Sequence, residues 1–149
     1  MVDTVTKTRR SEIMSRVRGK DTGPELVVRR LVHAMGYRFR LHRKDLPGTP
    51  DLVFPRLHSV IFVHGCFWHR HPGCKRTRTP KSRTAYWAEK FERNVQRDRA
   101  NRRLLRQGAW RVLTIWECET VNPPRLEAKL RKFLDQSSES HCQNTVRHK

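Results

Sequence analysis

The sequence predicts a mixed α/β domain with a central sheet flanked by helices. Three observations carry this. Short apolar runs at residues 51–54 and 60–64 lie close together; a third, at residues 110–116, follows the longest helical pattern; and further helical patterns stand at both ends. The resulting order, αββ…αβα, brackets helices between non-adjacent strands. At 149 residues the chain has the size of one domain with its own core.

Residues 1–20 read as a polar, basic arm with a short helix at residues 11–17, capped by Ser11 and carrying Met14. A helix then starts at Asp21 or Thr22, with Pro24 and Glu25 in its first turn, and ends at Gly36. Read locally, Glu25 is an acid complementing the helix dipole. Residues 37–41 alternate apolar and basic, as an edge strand does. After a turn at residues 45–50, Asp51 opens a short strand closed by Pro55, so the carboxylate falls at a sheet end. The run 60–64 ends in a segment, through Cys74, crowded with histidine, cysteine and aromatic side chains. A basic loop leads to Thr84, read as the cap of a helix over 85–107 stopped by Gly108. Trp87, Phe91, Asn94, Val95 and Asp98 share one stripe of that helix. Asp98 on a stripe meant for burial needs a partner or a task. Residues 110–116 form a strand, a last helix starts at Pro124, and residues 135–149 read as a polar, disordered tail.

Lys and Arg number 33 against 14 Asp and Glu, for a formal net charge of +19. A domain so basic repels itself unless its partner is a polyanion, and arginine suits phosphate and guanine edges. Composition alone favours a plain nucleic-acid binder without chemistry. No apolar run reaches membrane-spanning length and no secretory leader stands at the start, so the expected setting is cytoplasmic, with reduced thiols.

Four cysteines in a reducing compartment suggest a metal. Cys66, His71 and Cys74 form C-x4-H-x2-C, and Cys118, at the end of another strand, supplies a fourth ligand for tetrahedral zinc. His69 is a rival ligand and Cys142 a weaker one; buried cysteines beside a surface histidine are the plain alternative. With His71 on zinc, His64 and His69 stay unassigned near Asp51 and Asp98. Carboxylates, imidazole and a polyanionic partner fit Mg²⁺-assisted phosphodiester hydrolysis, with a histidine oriented by Asp98 as base.

Blocks at residues 14–22, 47–51, 63–69 (VHGCFWH), 94–98 (NVQRD), 108–112 and 116–118 are similar to the very-short-patch repair (Vsr) DNA mismatch endonucleases, over about residues 8–134. The resemblance implies a restriction-endonuclease-like fold over residues 21–134, a structural zinc and Mg²⁺-dependent nicking 5′ to the thymine of a T:G mismatch left by 5-methylcytosine deamination. It implies Mg²⁺ on Asp51 and the Val63 carbonyl, His69 as general base, Asp98 as its support, and His64 and Glu25 completing the site. Zinc falls to Cys66, His71, Cys74 and Cys118. Phe67, Trp68, Trp87 and Met14 are implied to wedge into the base stack. The implied partners are mismatched duplex bound by a monomer, with a functional link to a cytosine-5 methyltransferase and repair proteins. Two departures stand out. Phe62, Val63 and His64 occupy the place of the restriction enzymes' acid–x–Lys run, and Val63 replaces a threonine found in some members. A binding module without catalysis and a nuclease cutting both strands are the competing readings.

Overall fold

The computed structural model describes the backbone of residues 22–145 and the side chains of residues 22–136. The arm expected at residues 1–20, with the helix at 11–17 and Met14, lies outside the described residues. Strands β1 (Arg40–Leu41), β2 (Leu52–Phe54), β3 (Ser59–His64) and β4 (Arg111–Trp116) form one sheet in that spatial order. The β1–β2 and β2–β3 pairs are antiparallel and β3–β4 is parallel, so the sheet is mixed, as expected.

Every residue of β3 is buried. A β-branched and aromatic run can lie there because both faces are covered. On one face α1 (Gly23–Ala34) and α4 (Pro123–Thr145) cover Leu52, Phe54, Ile61, Val63 and Ile115 with Val28, Val32, Leu126, Leu130 and Leu134. On the other, Leu105 of α3 (Thr84–Gln107) meets Val53, Val60 and Phe62. Alternation along β3 therefore sends Ile61 and Val63 one way and Val60, Phe62 and His64 the other. Each buried aliphatic or aromatic side chain contributes about 1.5–3 kcal/mol relative to exposure.

Several boundaries differ from the sequence reading. Thr22 caps α1 as expected, its hydroxyl accepting the Glu25 N–H at 3.4 Å. Thr84 is inside α3 rather than its cap: the Arg83 carbonyl takes the first helical bond, from the Trp87 N–H at 3.2 Å. Gly108 is not the left-handed residue that ends α3. Ala109 is, at φ 63°, and the Trp110 N–H reaches the Leu105 carbonyl at 2.9 Å while that of Ala109 reaches Arg106 at 3.0 Å. That double closure is a Schellman turn, set one residue later than glycine alone suggested. Only residues 40 and 41 of the expected edge strand pair, because β2 itself offers three residues. Helix α4 begins at Pro123 and its backbone continues to Thr145, past Asp135, where a disordered tail was expected. No proline or glycine interrupts residues 125–145, so polarity alone does not stop the helix. A four-residue helix, α2 (Cys66–His69), was not foreseen.

The turn before β2 presses on α3. Gly48 sits at φ +74°, and a Cβ there would lie 2.8 Å from Asn101 Nδ2 and 3.0 Å from Asn101 Cβ. Gly48→Ala is therefore expected to destabilise the protein by about 1–3 kcal/mol, read as a lower denaturant midpoint at unchanged slope.

Candidate active site and metal centre

Strand register decides which side chains meet. In the parallel pair His64 lies opposite Trp116, so Cys66 and Cys118, each two residues further on, emerge side by side. In the antiparallel pair Leu52 lies opposite Ile61, which sets Asp51 beside the outgoing end of β3. Asp51 Oδ2 accepts the Val63 N–H at 2.7 Å. One sheet end thus gathers three clusters, joined by β3 and α2.

The first cluster is Cys66, His71, Cys74 and Cys118, whose ligand atoms all lie within 4.8 Å of one another. His71 Nε2 stands 3.3 Å from Cys66 Sγ and 3.6 Å from Cys118 Sγ. Tetrahedral bonds of about 2.0–2.3 Å put neighbouring ligands roughly 3.5–3.8 Å apart, so the quartet suits a zinc-sized ion. Burial pushes the Cys66 thiol up to about 12, so its thiolate calls for a cation. Around it, Arg76 pairs with Glu117 at 2.9 Å, and the Glu119 carboxylate accepts the Trp116 N–H at 2.8 Å, shaping the turn that presents Cys118.

His69, the rival zinc ligand, faces the other way. Its Nδ1 lies 2.7 Å from Asp98 Oδ2, and its ring stacks on His64 at 3.9 Å and 9°. Helix α2 makes this possible: the His69 N–H bonds to the Gly65 carbonyl, and Asn94 of α3 donates to the Trp68 carbonyl at 3.0 Å. Burial alone would raise the Asp98 carboxyl, but the His69 hydrogen bond and nearby positive charge hold it below the usual range. An ionised Asp98 accepts from Nδ1–H, which leaves the lone pair on Nε2, the arrangement a general base requires. Burial, with His69 nearby, lowers His64 to about 3, so it stays neutral at physiological pH. Its buried Nδ1 has no hydrogen-bond partner among the described residues.

The third cluster joins Asp51 to Glu25 and to His42, with ligand atoms again within 4.8 Å. Glu25 is 2% exposed although it lies in the first turn of a helix, which a dipole-complementing surface acid does not explain. Arg29, one turn on, donates to Glu25 Oε2 at 3.1 Å. His42 was not singled out from the sequence. Strand register brings it there: Arg40 pairs with Val53 and Leu41 with Leu52, so the next pair is His42 with Asp51.

Burial raises Asp51 to about 7; the Val63 N–H opposes this and the Glu25 carboxylate adds to it. In the unfolded chain an aspartate titrates near 3.9. The folded state therefore holds a proton that the unfolded chain releases between about pH 4 and 7, and stability falls as pH rises through that window. Without added divalent cation, Asp51→Asn is expected to gain stability relative to wild type between pH 5 and pH 8. Denaturant titrations at both pH values measure it; an unchanged gap would contradict a buried, reluctantly ionised Asp51.

Phe67, Trp68, Trp87 and Phe91 form an aromatic cluster beside the dyad, with ring centroids 5.0–6.0 Å apart. Trp87 is only 6% exposed, whereas Phe67 and Trp68 are half-buried. The Arg70 guanidinium lies 3.5 Å over the Phe91 ring and its Nη2 donates to the Arg78 carbonyl at 3.1 Å, tying the basic loop to this cluster.

Carboxylates drawn in from solvent and an aspartate-held imidazole, on so basic a chain, suit phosphodiester hydrolysis. Comparison with known proteins makes this specific. A family model described as DNA mismatch endonuclease Vsr matches residues 2–76. The type II nicking enzyme V.XorIIP of Xanthomonas oryzae pv. oryzae is 53% identical over 137 residues, covering 92% of this chain and 100% of its own length. The DNA mismatch endonuclease Vsr of Escherichia coli is 42% identical over 139 residues, covering 90% and 88%. The type II nicking enzyme V.NmeAIP of Neisseria meningitidis is 36% identical over 134 residues, covering 90% and 95%. The chain belongs to the Vsr family of DNA mismatch endonucleases. Among the described residues no helix is long and apolar enough to cross a membrane.

Proposed function

We propose that this protein is a Mg²⁺-dependent enzyme of restriction-endonuclease-like fold. It nicks DNA on the 5′ side of the thymine in T:G mismatches left by deaminated 5-methylcytosine, which starts very-short-patch repair. The observation that carries the chemistry is the His69–Asp98 pair at 2.7 Å, next to the Asp51–Glu25 carboxylates at the same sheet end. His69 Nε2 takes the proton of the attacking water; the water oxygen bonds to phosphorus and the P–O3′ bond breaks, the departing 3′ oxygen taking a proton from solvent, which gives a 3′-hydroxyl and a 5′-phosphate. Asp98 fixes the tautomer of His69 and balances its charge, and neutral His64 holds its ring by stacking. Asp51 and the Val63 carbonyl would hold Mg²⁺, with Glu25 completing the site, and the bound ion would neutralise charge on the phosphate. Cys66, His71, Cys74 and Cys118 hold a structural zinc.

The aromatic cluster supports mismatch selectivity. Half-buried Phe67 and Trp68 can enter a base step, and a mismatched pair costs less to unstack than a matched one. Trp87, buried beneath them, backs the wedge in the free protein and reaches bases only if the cluster opens. A monomer on duplex DNA in the cytoplasm, linked to a cytosine-5 methyltransferase, completes the reading.

A labelled duplex panel with T:G, A:T or C:G at one position, with and without Mg²⁺, tests it on wild type and Asp51→Ala. The expected result is one nick, in the T strand of T:G duplexes, absent without Mg²⁺ and in the variant. Binding without any nick in several flanking contexts would favour the non-catalytic module. Cuts in both strands of matched duplex would favour the restriction-type nuclease.

A further inference from the structure

We propose that Arg70 is a positioning residue of the wedge: its guanidinium locks Phe67 to the basic loop at residues 75–83, and this lock sets how well the enzyme tells mismatched from matched duplex. The proposal rests on the reading of Phe67 and Trp68 as the wedge. Arg70 directly follows α2 with φ 56° and ψ 131°, a backbone that residues other than glycine rarely adopt. Its guanidinium carbon stands 3.5 Å from the centre of the Phe91 ring and 5.1 Å from that of Phe67. The two terminal nitrogens donate to loop carbonyls, Nη1 to that of Thr77 and Nη2 to that of Arg78 at 3.1 Å. Nε is buried and has no hydrogen-bond partner among the described residues.

Strained backbone and an unsatisfied donor both cost stability, so the contact persists against a penalty. One planar group thus joins three elements: α2 through Phe67, α3 through Phe91, and the loop through two carbonyls. A lysine would keep the charge but cannot cover a ring face and reach two carbonyls at once. The loop is also fixed where it leaves the quartet, since the hydroxyl and N–H of Thr77 both donate to the Cys74 carbonyl, at 2.6 and 3.2 Å. Lys75, Arg78, Lys81 and Arg83 of this loop are exposed, as cations that meet a DNA backbone are. Phosphates gripped by the loop are therefore held at a set distance from Phe67. A ring so held enters the base step whenever the loop meets the backbone, and the cost of unstacking, lower at a mismatch, decides which duplex reaches His69. A ring free to swing aside would let matched duplex settle without unstacking.

The test uses the zinc-loaded full chain and duplexes carrying T:G or matched A:T at one position, with 2-aminopurine beside it. Single-turnover nicking gives the rate ratio of T:G over A:T, and 2-aminopurine fluorescence on binding without Mg²⁺ reports unstacking. Arg70→Lys is expected to lower the ratio about tenfold and to shrink the fluorescence gain on T:G duplex, with zinc content and melting temperature held. Phe91→Leu removes the ring beneath the guanidinium without touching the zinc loop, and should lower the ratio too. The double variant should fall no further than the larger single one, because both changes break one stack. A ratio kept in either variant, rate lost equally on both duplexes, or zinc lost from Arg70→Lys would overturn the proposal. Trp68→Ala should abolish the fluorescence gain; a gain intact in that variant would sink the wedge reading itself, whatever Arg70 does.

Discussion

His69→Ala should slow nicking by about 10²–10⁴-fold while leaving duplex affinity unchanged. The imidazole bonds to Asp98 and stacks on the His64 ring, so its removal should take away proton transfer and little else. Single-turnover nicking under saturating Mg²⁺, beside a binding titration, separates the two. Asp98→Asn should also slow nicking, because an amide can donate to Nδ1 and so place the imidazole proton on Nε2, the nitrogen the base needs free. Wild-type nicking by Asp98→Asn would mean that Asp98 does not set the tautomer of His69. Equal nicking by His69→Ala and wild type would remove His69 as base and turn attention to the groups around Asp51.

Removing the ion from the cysteine quartet should have the second large effect. Structural zinc contributes roughly 10–16 kcal/mol of apparent binding free energy in small domains, most of a domain's own stability. Cys118→Ala, or a chelator selective for zinc over Mg²⁺, is expected to lower the melting temperature and abolish nicking together. The reason is geometric: Cys66 and Cys118 join the ends of β3 and β4, and Cys66 opens the helix that ends in His69. Mg²⁺ added back should not restore activity, whereas zinc should. Unchanged melting on complete zinc removal would mean that hydrogen bonds and packing alone hold the loop.

Much of this was legible before any coordinates. The buried strand could be read from its unbroken β-branched run, and the cysteine quartet from spacing, because close ligands on a turn leave few other partners. The spacing already put His71 ahead of His69, and the fold supplies the reason: α2, between Gly65 and Pro72, turns the two imidazoles to opposite sides. Glu25 read as a surface dipole acid because burial of a first-turn residue depends on what the sheet presses against it. His42 went unseen because register, which is set by long-range pairing, brings it to Asp51. The α3 boundaries slipped since Arg83 and Ala109 adopt left-handed backbone that glycine or asparagine usually signals.

The shortness of α2 has one more consequence, for the order in which the molecule assembles. Four residues close two i to i+4 bonds, the N–H groups of His69 and Arg70 reaching the carbonyls of Gly65 and Cys66. Such a turn does not persist on its own, because nucleation costs more than two bonds return. It is expected to form only once the sheet has paired and the quartet, with any ion it holds, has closed. Native-state hydrogen exchange should then find the His69 and Arg70 amides opening far more readily than those of β3, and more readily still without zinc. The reactive imidazole would be the last part of the protein to take its place, so a partly folded chain can meet DNA without cutting it.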